Sequence, residues 1–195
     1  MAATESTMLE LGVNAPDFDL PNTNPNFTAS SASLADYEGA KALLVMFVCN
    51  HCPYVIHLRG ALIALANEYA EKGLEVVAIS SNSAESHPQD GPDAMRQEAG
   101  AHNFPYAYLY DETQAVAKAY KAACTPDFYL FDDNQKLAYR GRFDGSRPKN
   151  DIPISGNDIR RAIDEVLSGR SPGADQIPSM GCNIKWASGN EPAYY

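Results

Sequence analysis

The sequence predicts an α/β fold in which a mixed sheet carries helices on both faces. Short apolar runs alternate with amphipathic stretches in the order strand, helix, strand, helix, strand, hairpin, helix. At 195 residues and 45% hydrophobic, the chain is long and apolar enough to bury one core. We predict one domain over 1–169 with an N-terminal extension, followed by a tail over 170–195 that packs on the domain.

The amino-terminal part leads into the first buried strand. Residues 1–40 are rich in Pro, Asn, Ser and Ala, and their apolar islands at Phe18, Leu20 and Phe27 predict one or two short strands. Residues 41–48 then form an apolar run that is partly β-branched. Such a run is typical of a strand buried on both faces.

The clearest helix is predicted over 53–72. Its apolar residues recur at spacings of three and four, which gives a single stripe facing the core. The stripe consists of Val55, Leu58, Leu62, Leu65 and Tyr69. Gly73 supplies the stop, and 74–80 is a second buried strand.

The same patterns predict the remaining elements. They are helices over 93–102, 113–121 and 157–167, a strand over 106–110, and a hairpin with strands over 127–131 and 135–139. Asn157 is the expected N-cap of the last helix.

Charge and cysteine usage limit the function classes. A net charge of −10 argues against a nucleic-acid partner, which needs clustered Lys and Arg. The amino terminus lacks a signal-peptide pattern, and the apolar run over 42–49 is too short to span a membrane. We therefore expect a cytoplasmic protein without a membrane partner. Four cysteines in a reducing compartment favour catalysis or metal binding over structural disulfides.

The C-x-x-C sequence at 49–52 carries the predicted chemistry. Cys49 lies where a strand gives way to a helix, and the helix dipole favours a thiolate there, with an expected pKa of roughly 3.5–7.5. Cys52 should be more deeply buried and less acidic. Cys49 is then the nucleophile and Cys52 the resolving thiol. His51 would assist as an imidazolium beside Cys49, unless it is merely exposed to solvent.

Two other interpretations of these cysteines remain open. A structural zinc ion needs four ligands, and neither Cys124 nor Cys182 belongs to a second C-x-x-C. A pair of inert core thiols is equally compatible with the pattern, because free cysteine is often buried. We predict no metal site and no cofactor.

Five blocks resemble one known superfamily. They are Ala-Pro-Asp-Phe-Asp-Leu at 15–20, Cys-Asn-His-Cys-Pro-Tyr-Val at 49–55, Cys-Thr-Pro-Asp-Phe-Tyr-Leu-Phe-Asp at 124–132, Tyr-Arg-Gly-Arg-Phe-Asp at 139–144 and Ser-Met-Gly-Cys-Asn-Ile-Lys-Trp at 179–186. Together they resemble peroxiredoxin-like, thioredoxin-related proteins of the redoxin (alkyl hydroperoxide reductase and thiol-specific antioxidant) superfamily. The resemblance implies a thioredoxin-like fold.

The resemblance also assigns roles to individual residues. It implies that Cys49 is the nucleophile and Cys52 its partner, and that the Thr125–Pro126 bond is cis. Thr125 and Pro126 would face the dithiol and help to bind substrate. Cys124 would lie close to them, either as a third redox thiol or as a packed one.

Three departures separate the chain from the standard members of that superfamily. The P-x-x-x-T-x-x-C motif of peroxiredoxins is absent at both Cys49 and Cys52. Val48 replaces the tryptophan that precedes the first cysteine of thioredoxins, and Leu43 replaces their buried acid.

The tail contains its own candidate thiol. Met180, Ile184 and Trp186 are apolar residues in an otherwise polar segment, so we expect this segment to dock on the domain. Cys182 would then be a regulatory or resolving thiol if docking brings it near the site.

These observations predict a cytoplasmic thiol–disulfide oxidoreductase that uses a Cys49–Cys52 dithiol. Its expected partners are a protein or small-molecule disulfide and a dithiol electron donor. Two alternatives remain: an antioxidant thiol peroxidase acting on hydroperoxides, and a non-catalytic zinc or redox-sensing module.

Overall fold

A computed structural model describes residues 3–194 of the chain. The strands are β1 (Ala3–Glu5), β2 (Asp19–Pro21), β3 (Ser31–Ser33), β4 (Ala42–Phe47), β5 (Leu74–Ser80), β6 (Ala107–Tyr110), β7 (Cys124–Thr125), β8 (Asp127–Asp132), β9 (Leu137–Arg140) and β10 (Met180–Asn183). The helices are α1 (Pro53–Ala70), α2 (Pro92–His102), α3 (Ala115–Ala119) and α4 (Asn157–Leu167), with short 3₁₀ helices at Leu34–Tyr37 and Pro88–Asp90.

A five-stranded mixed sheet forms the centre of the molecule. Its strand order is β6-β5-β4-β8-β9. The strands β4, β5 and β6 are parallel, whereas β8 runs antiparallel to β4, and β9 runs antiparallel to β8. A two-stranded sheet (β2-β3) and a three-stranded sheet (β1-β10-β7) flank it.

Strand β4 divides the core into two layers, because successive side chains of a strand point to opposite faces. Leu44 and Met46 belong to the cluster that also contains the apolar stripe of α1 and the buried faces of α2 and α4. Leu43, Val45 and Phe47 belong to a second cluster, which contains residues of α3 and of both terminal segments. The predicted α/β architecture with helices on both faces is confirmed.

The predicted helices and strands are present, with ends that differ by at most two residues. Helix α1 ends at Ala70 rather than at residue 72, and Gly73 follows in the left-handed region at φ +102°. The residue at the N-cap of α4 is Gly156, so the prediction that Asn157 caps this helix is wrong. Phe27 is 40% exposed and lies outside the short strands β2 and β3.

The tail contains a strand that was not predicted from the sequence. β10 lies between β1 and β7, with Cys182 opposite both Ala3 and Thr125. Its pairing partners are more than 50 residues away along the chain, so local periodicity gives no sign of it. Beyond β10, Ile184 and Trp186 are buried in the second core layer.

Candidate active site

Cys49 and Cys52 lie at the junction between the central sheet and α1. β4 ends at Phe47, and α1 begins at Pro53, which leaves Cys52 in the N-cap position. Proline is well tolerated at the first helical position because its missing N–H would have no helical acceptor. Cys49 is 1% exposed and Cys52 is fully buried.

The segment after Cys124 faces both thiols. The Thr125–Pro126 peptide bond is cis, as predicted. The Sγ of Cys49 lies 3.5 Å from Thr125 Oγ1. When protonated, Cys52 donates through Sγ to the carbonyl oxygen of Thr125 at 3.1 Å. Thr125 therefore contacts both sulfurs, once through its side chain and once through its backbone.

Asp90 organises the loop between the two cysteines, although no sequence pattern selects this residue. Its carboxylate is fully buried, and one oxygen accepts the backbone N–H groups of Asn50 at 2.9 Å and His51 at 3.2 Å. The other oxygen lies 2.5 Å from His51 Nδ1 and accepts from Asn82 Nδ2 at 2.8 Å. A single carboxylate thus fixes both the backbone and the imidazole of this loop.

His51 is oriented mainly by Asp90 rather than by Cys49. Its Nδ1 is 3.9 Å from Cys49 Sγ, much farther than from the Asp90 oxygen. The imidazole is 16% exposed and stacks on His87, with 5.1 Å between ring centroids. The alternative of a freely solvated His51 therefore does not hold. His87 showed no pattern in the sequence.

The acidity of the two thiols is opposite to the sequence expectation. The pKa of Cys52 is lowered to about 5 by the hydrogen bond from Cys49, with help from Cys182, Thr125 and the backbone N–H of Val55. The pKa of Cys49 is raised by its hydrogen bond to Cys52, by burial and by the charge of Asp90. The prediction of an acidic Cys49 is therefore wrong, because the interaction between the two thiols lowers the pKa of Cys52 and raises that of Cys49.

The two remaining cysteines differ in their relation to the site. The Sγ of Cys182 lies 2.9 Å from the Sγ of Cys52. Cys124 instead donates to the carbonyl oxygen of Pro126 at 3.6 Å, and burial raises its pKa well above the usual value. The docked tail therefore brings Cys182 to the dithiol, and Cys124 packs behind Pro126.

Three side chains at the site offer atoms suited to a metal ion. The Cys49 sulfur, a His51 ring nitrogen and an Asp90 carboxylate oxygen all lie within 4.8 Å of one another. Sulfur, imidazole and carboxylate are a donor set that zinc accepts. The 2.5 Å hydrogen bond between His51 and Asp90 would have to open for both residues to bind one ion.

Leu43 replaces the buried acid of thioredoxins, and the buried acid nearest the cis peptide in sequence is Asp127. Leu43 points into the second core layer, away from the cysteines. Asp127 follows Pro126, is fully buried and accepts a hydrogen bond from Tyr129 at 3.0 Å. Burial raises its pKa to about 7. It is the acid that directly follows the cis peptide in this chain.

Sequence comparison identifies the family. The sequence pattern of the AhpC/TSA family matches residues 11–140. The chain belongs to this family. The match covers β2 to β9 and includes both cysteines of the C-x-x-C, but not β10. The resemblance inferred from the sequence blocks is therefore confirmed.

Several known proteins are similar to this AhpC/TSA member. The thiol-disulfide oxidoreductase ResA of Oceanobacillus iheyensis is 25% identical over 135 residues, which span 68% of this chain and 65% of ResA. An uncharacterized conserved protein from Geobacillus kaustophilus is 50% identical, with coverage of 96% and 97% and a TM-score of 0.92. Peroxidoxin BcpB from Mycobacterium tuberculosis is 18% identical, with coverage of 82% and 94% and a TM-score of 0.57. The fold is thioredoxin-like.

The residues around Asp90 show what sequence reasoning missed. Asn82 follows the carboxyl end of β5, and the C-x-x-C follows the carboxyl end of the neighbouring parallel strand β4. Carboxyl ends of adjacent parallel strands meet at one edge of a sheet, so polar residues there were a usable signal. Asp90 lies farther along the connection, where no such rule applies.

Across the described residues, no helix is long and apolar enough to cross a membrane.

Proposed function

We propose that this protein is a thiol–disulfide oxidoreductase whose redox group is the Cys49–Cys52 dithiol. The contact of both sulfurs with Thr125, beside the cis Thr125–Pro126 peptide, carries the proposal. Two cysteines of a C-x-x-C whose sulfurs face the same residue are suited to alternate between a dithiol and a disulfide. Membership of the AhpC/TSA family and the similarity to ResA support the same class of reaction.

In the proposed mechanism, Cys49 attacks the substrate and Cys52 takes its proton. Cys49 lines a narrow cleft whose walls include Val55, Phe104 and Tyr108, whereas Cys52 is enclosed by Thr125 and the tail. As the sulfur of Cys49 bonds to one substrate sulfur, its proton passes to the Cys52 thiolate and the second substrate sulfur leaves as a thiolate. The acidic Cys52 thus acts first as a base.

Cys52 then completes the reaction. The departing substrate thiolate takes the proton of Cys52, and the Cys52 thiolate attacks the sulfur of Cys49. This step forms the Cys49–Cys52 disulfide and releases the substrate sulfur that was bound to Cys49 as a thiolate, which takes a proton from solvent. The substrate disulfide is thereby reduced to two thiols, and the protein dithiol is oxidised. An external dithiol donor returns the protein to its reduced form.

In the proposed reaction the substrate reaches Cys49 through the cleft, which has to widen on binding because its free volume is only about 10 Å³. One edge of β7 at Thr125 is already paired with β10, so an extended substrate chain would need another way to reach the dithiol. At the cleft, Arg59 and Glu98 form an ion pair of 2.9 Å. We propose a small disulfide or an exposed disulfide loop as the substrate. A reducing, cytoplasmic compartment remains our prediction for its location.

A zinc-binding module is the second candidate, and the Cys49–His51–Asp90 cluster is the observation that favours it. Metal analysis of the reduced protein, purified without chelators, separates the two candidates. The oxidoreductase proposal predicts less than a tenth of an equivalent of zinc. One tightly held equivalent that is lost in Cys49→Ser would favour the zinc module instead.

The direct test of the oxidoreductase proposal is a dithiol-driven disulfide-reduction assay with matched variants. Cys49→Ser should lose activity completely, because the attacking sulfur is gone. Cys124→Ser removes an equally buried thiol outside the pair and should keep wild-type activity. Full activity in Cys49→Ser would overturn the proposal. Peroxide consumption that exceeds disulfide reduction, together with a trapped sulfenic acid at Cys49, would favour a thiol peroxidase.

A further inference from the structure

We propose that Cys182 is a third redox thiol of this site, which exchanges with the Cys49–Cys52 disulfide to give a Cys52–Cys182 disulfide. The inference rests on the proposed function, because the Cys49–Cys52 disulfide is its starting point. It assigns a chemical role to the docked C-terminal segment, which lies beyond the residues that match the AhpC/TSA family.

The contact between the two sulfurs carries the proposal. The Sγ atoms of Cys52 and Cys182 lie 2.9 Å apart, closer than the 3.1 Å between the Cys52 sulfur and the carbonyl oxygen of Thr125. Cys182 is 4% exposed and Cys52 is fully buried, so solvent and bulky thiols have little access to either sulfur. Cys182 is therefore well placed for thiol–disulfide exchange with Cys52.

The backbone on both sides of Cys182 holds its sulfur in this position. β10 pairs with β7 so that Cys182 is opposite Thr125, the residue that contacts both sulfurs of the dithiol. On its other edge β10 pairs with β1. A thiol fixed between two strands loses little freedom when it reacts, which favours an intramolecular exchange.

Gly181 permits this close approach. A Cβ atom at residue 181 would lie 1.9 Å from the carbonyl oxygen of Thr125, which is far inside van der Waals contact. Only glycine lets β10 come this near to β7. Beyond β10, Ile184 and Trp186 anchor the tail in the second core layer. The packing of Gly181, Ile184 and Trp186 therefore keeps the Cys182 sulfur in contact with Cys52.

The exchange step is balanced without a further reactant. The Cys182 thiolate attacks the Cys52 sulfur of the Cys49–Cys52 disulfide. The Cys52–Cys182 bond forms, the Cys49–Cys52 bond breaks, and Cys49 leaves as a thiolate that takes the proton given up by Cys182. The protein still contains one disulfide and gains or loses no electrons.

The electrostatic environment of Cys182 changes in the direction that this step needs. In the reduced protein the pKa of Cys182 is raised to about 12, first by burial and then by its hydrogen bond and charge interaction with Cys52. Oxidation of Cys52 removes both interactions with a Cys52 thiolate. Lys185 lowers the pKa of Cys182 and remains in place. Cys182 therefore becomes easier to ionise once the Cys49–Cys52 disulfide has formed.

In a simple dithiol, the attacking cysteine is also part of the disulfide that forms. The exchange would return Cys49 to a free thiol at the cleft, while the disulfide lies between Cys52 and Cys182. It also links the amino end of α1 covalently to the C-terminal strand. The free Cys49 thiolate can then attack a second substrate disulfide, which releases one substrate thiolate, before an external donor reduces the protein.

The test maps disulfides in wild-type, Cys49→Ser, Cys182→Ser and Cys124→Ser proteins. Each is reduced, oxidised with excess diamide, quenched in acid, alkylated with iodoacetamide and analysed by peptide mass spectrometry. We expect both Cys49–Cys52 and Cys52–Cys182 linkages in wild type and in Cys124→Ser. In Cys49→Ser we expect Cys52–Cys182 as the main product. Alkylated Cys49 should be at least fivefold more abundant in oxidised wild type than in oxidised Cys182→Ser.

Failure of the inference is distinguishable from failure of the proposed function. If wild type forms Cys49–Cys52 but neither it nor Cys49→Ser forms Cys52–Cys182, Cys182 has no redox role and the dithiol mechanism stands. If neither wild type nor Cys182→Ser forms a Cys49–Cys52 linkage, the dithiol mechanism itself is wrong. Circular dichroism and thermal unfolding verify that the variants are folded. Cys49→Ala replaces Cys49→Ser if the serine variant unfolds.

Discussion

The Sγ of Cys52 lies 2.9 Å from the Sγ of Cys182. The pKa of Cys52 is lowered and that of Cys49 is raised, so the reduced site holds its negative charge at the second cysteine of the C-x-x-C. Helix α1 begins at Pro53, which leaves Cys52 in the N-cap position and Cys49 three residues upstream. The largest cause of the lowered pKa of Cys52 is its interaction with the Cys49 thiol.

Titration of the reduced protein should reveal this acidic thiol directly. Because the pKa of Cys52 is lowered to about 5, thiolate absorbance near 240 nm should rise with a midpoint near pH 5. The Cys52→Ser variant should lose this transition, and Cys124→Ser should retain it. A midpoint above pH 8, or a transition that disappears in Cys124→Ser, would contradict the assignment.

Replacing Asp90 with Asn should loosen the loop that carries the first cysteine. The substitution puts an amide where a carboxylate accepts hydrogen bonds from Asn50, His51 and Asn82, so buried donors lose partners. We expect a loss of about 1–3 kcal/mol in the free energy of unfolding. Chemical denaturation measures it.

Hydrogen exchange makes the Asp90 prediction specific to the loop. The amides of Asn50 and His51 should exchange faster in Asp90→Asn, because the carboxylate accepts both. Asp93→Asn changes an exposed carboxylate on α2 and serves as the control. Unchanged exchange at Asn50 and His51 in Asp90→Asn would show that the carboxylate does not hold this loop.

Substitution of Gly181 by Ala should disturb the docking of the tail. The added methyl group would meet the carbonyl oxygen of Thr125, so β10 has to move away from β7. We expect a destabilisation of about 1–3 kcal/mol and a changed fluorescence of the single tryptophan, Trp186. Gly173→Ala is the matched control, because nothing lies within 4 Å of its added Cβ. Equal stability of both variants would contradict the close approach.

Asp127 should make stability depend on pH in the neutral range. Burial raises the pKa of Asp127 from 3.8 to about 7. Between these two pH values the folded protein keeps a proton that the unfolded chain has already released. The stabilisation from this proton is complete below about pH 4 and is lost as the pH rises through 7. The unfolding free energy should therefore fall across this range, by at most about 1.4 kcal/mol per pH unit.

Asp127→Asn isolates this contribution. The variant cannot titrate at residue 127, so its unfolding free energy should decline less between pH 5 and pH 8 than that of wild type. Denaturant titrations at several pH values measure the difference. If both proteins show the same slope, Asp127 does not titrate in this range.

The sequence predicted the central fold well because the signals there are local. The apolar run of β4 and the stripe of α1 are read from neighbouring residues, and the C-x-x-C marks where these elements meet. β10 and Asp90 were missed for a common reason. Their partners are distant in sequence, so only the folded chain brings Cys182 to Cys52 and Asp90 to His51. The acidity of the dithiol was misassigned because it depends on the contacts that Cys49 and Cys52 make in the folded chain.

The most direct test of the dithiol mechanism is disulfide mapping after a single turnover. The reduced protein is mixed with one equivalent of a small disulfide substrate, quenched in acid within seconds, alkylated and analysed by mass spectrometry. The mechanism predicts a Cys49–Cys52 linkage in wild type and, in Cys52→Ser, a stable mixed disulfide between the substrate and Cys49. A mixed disulfide at any other cysteine, or unreacted Cys49 after the substrate has been reduced, would contradict it.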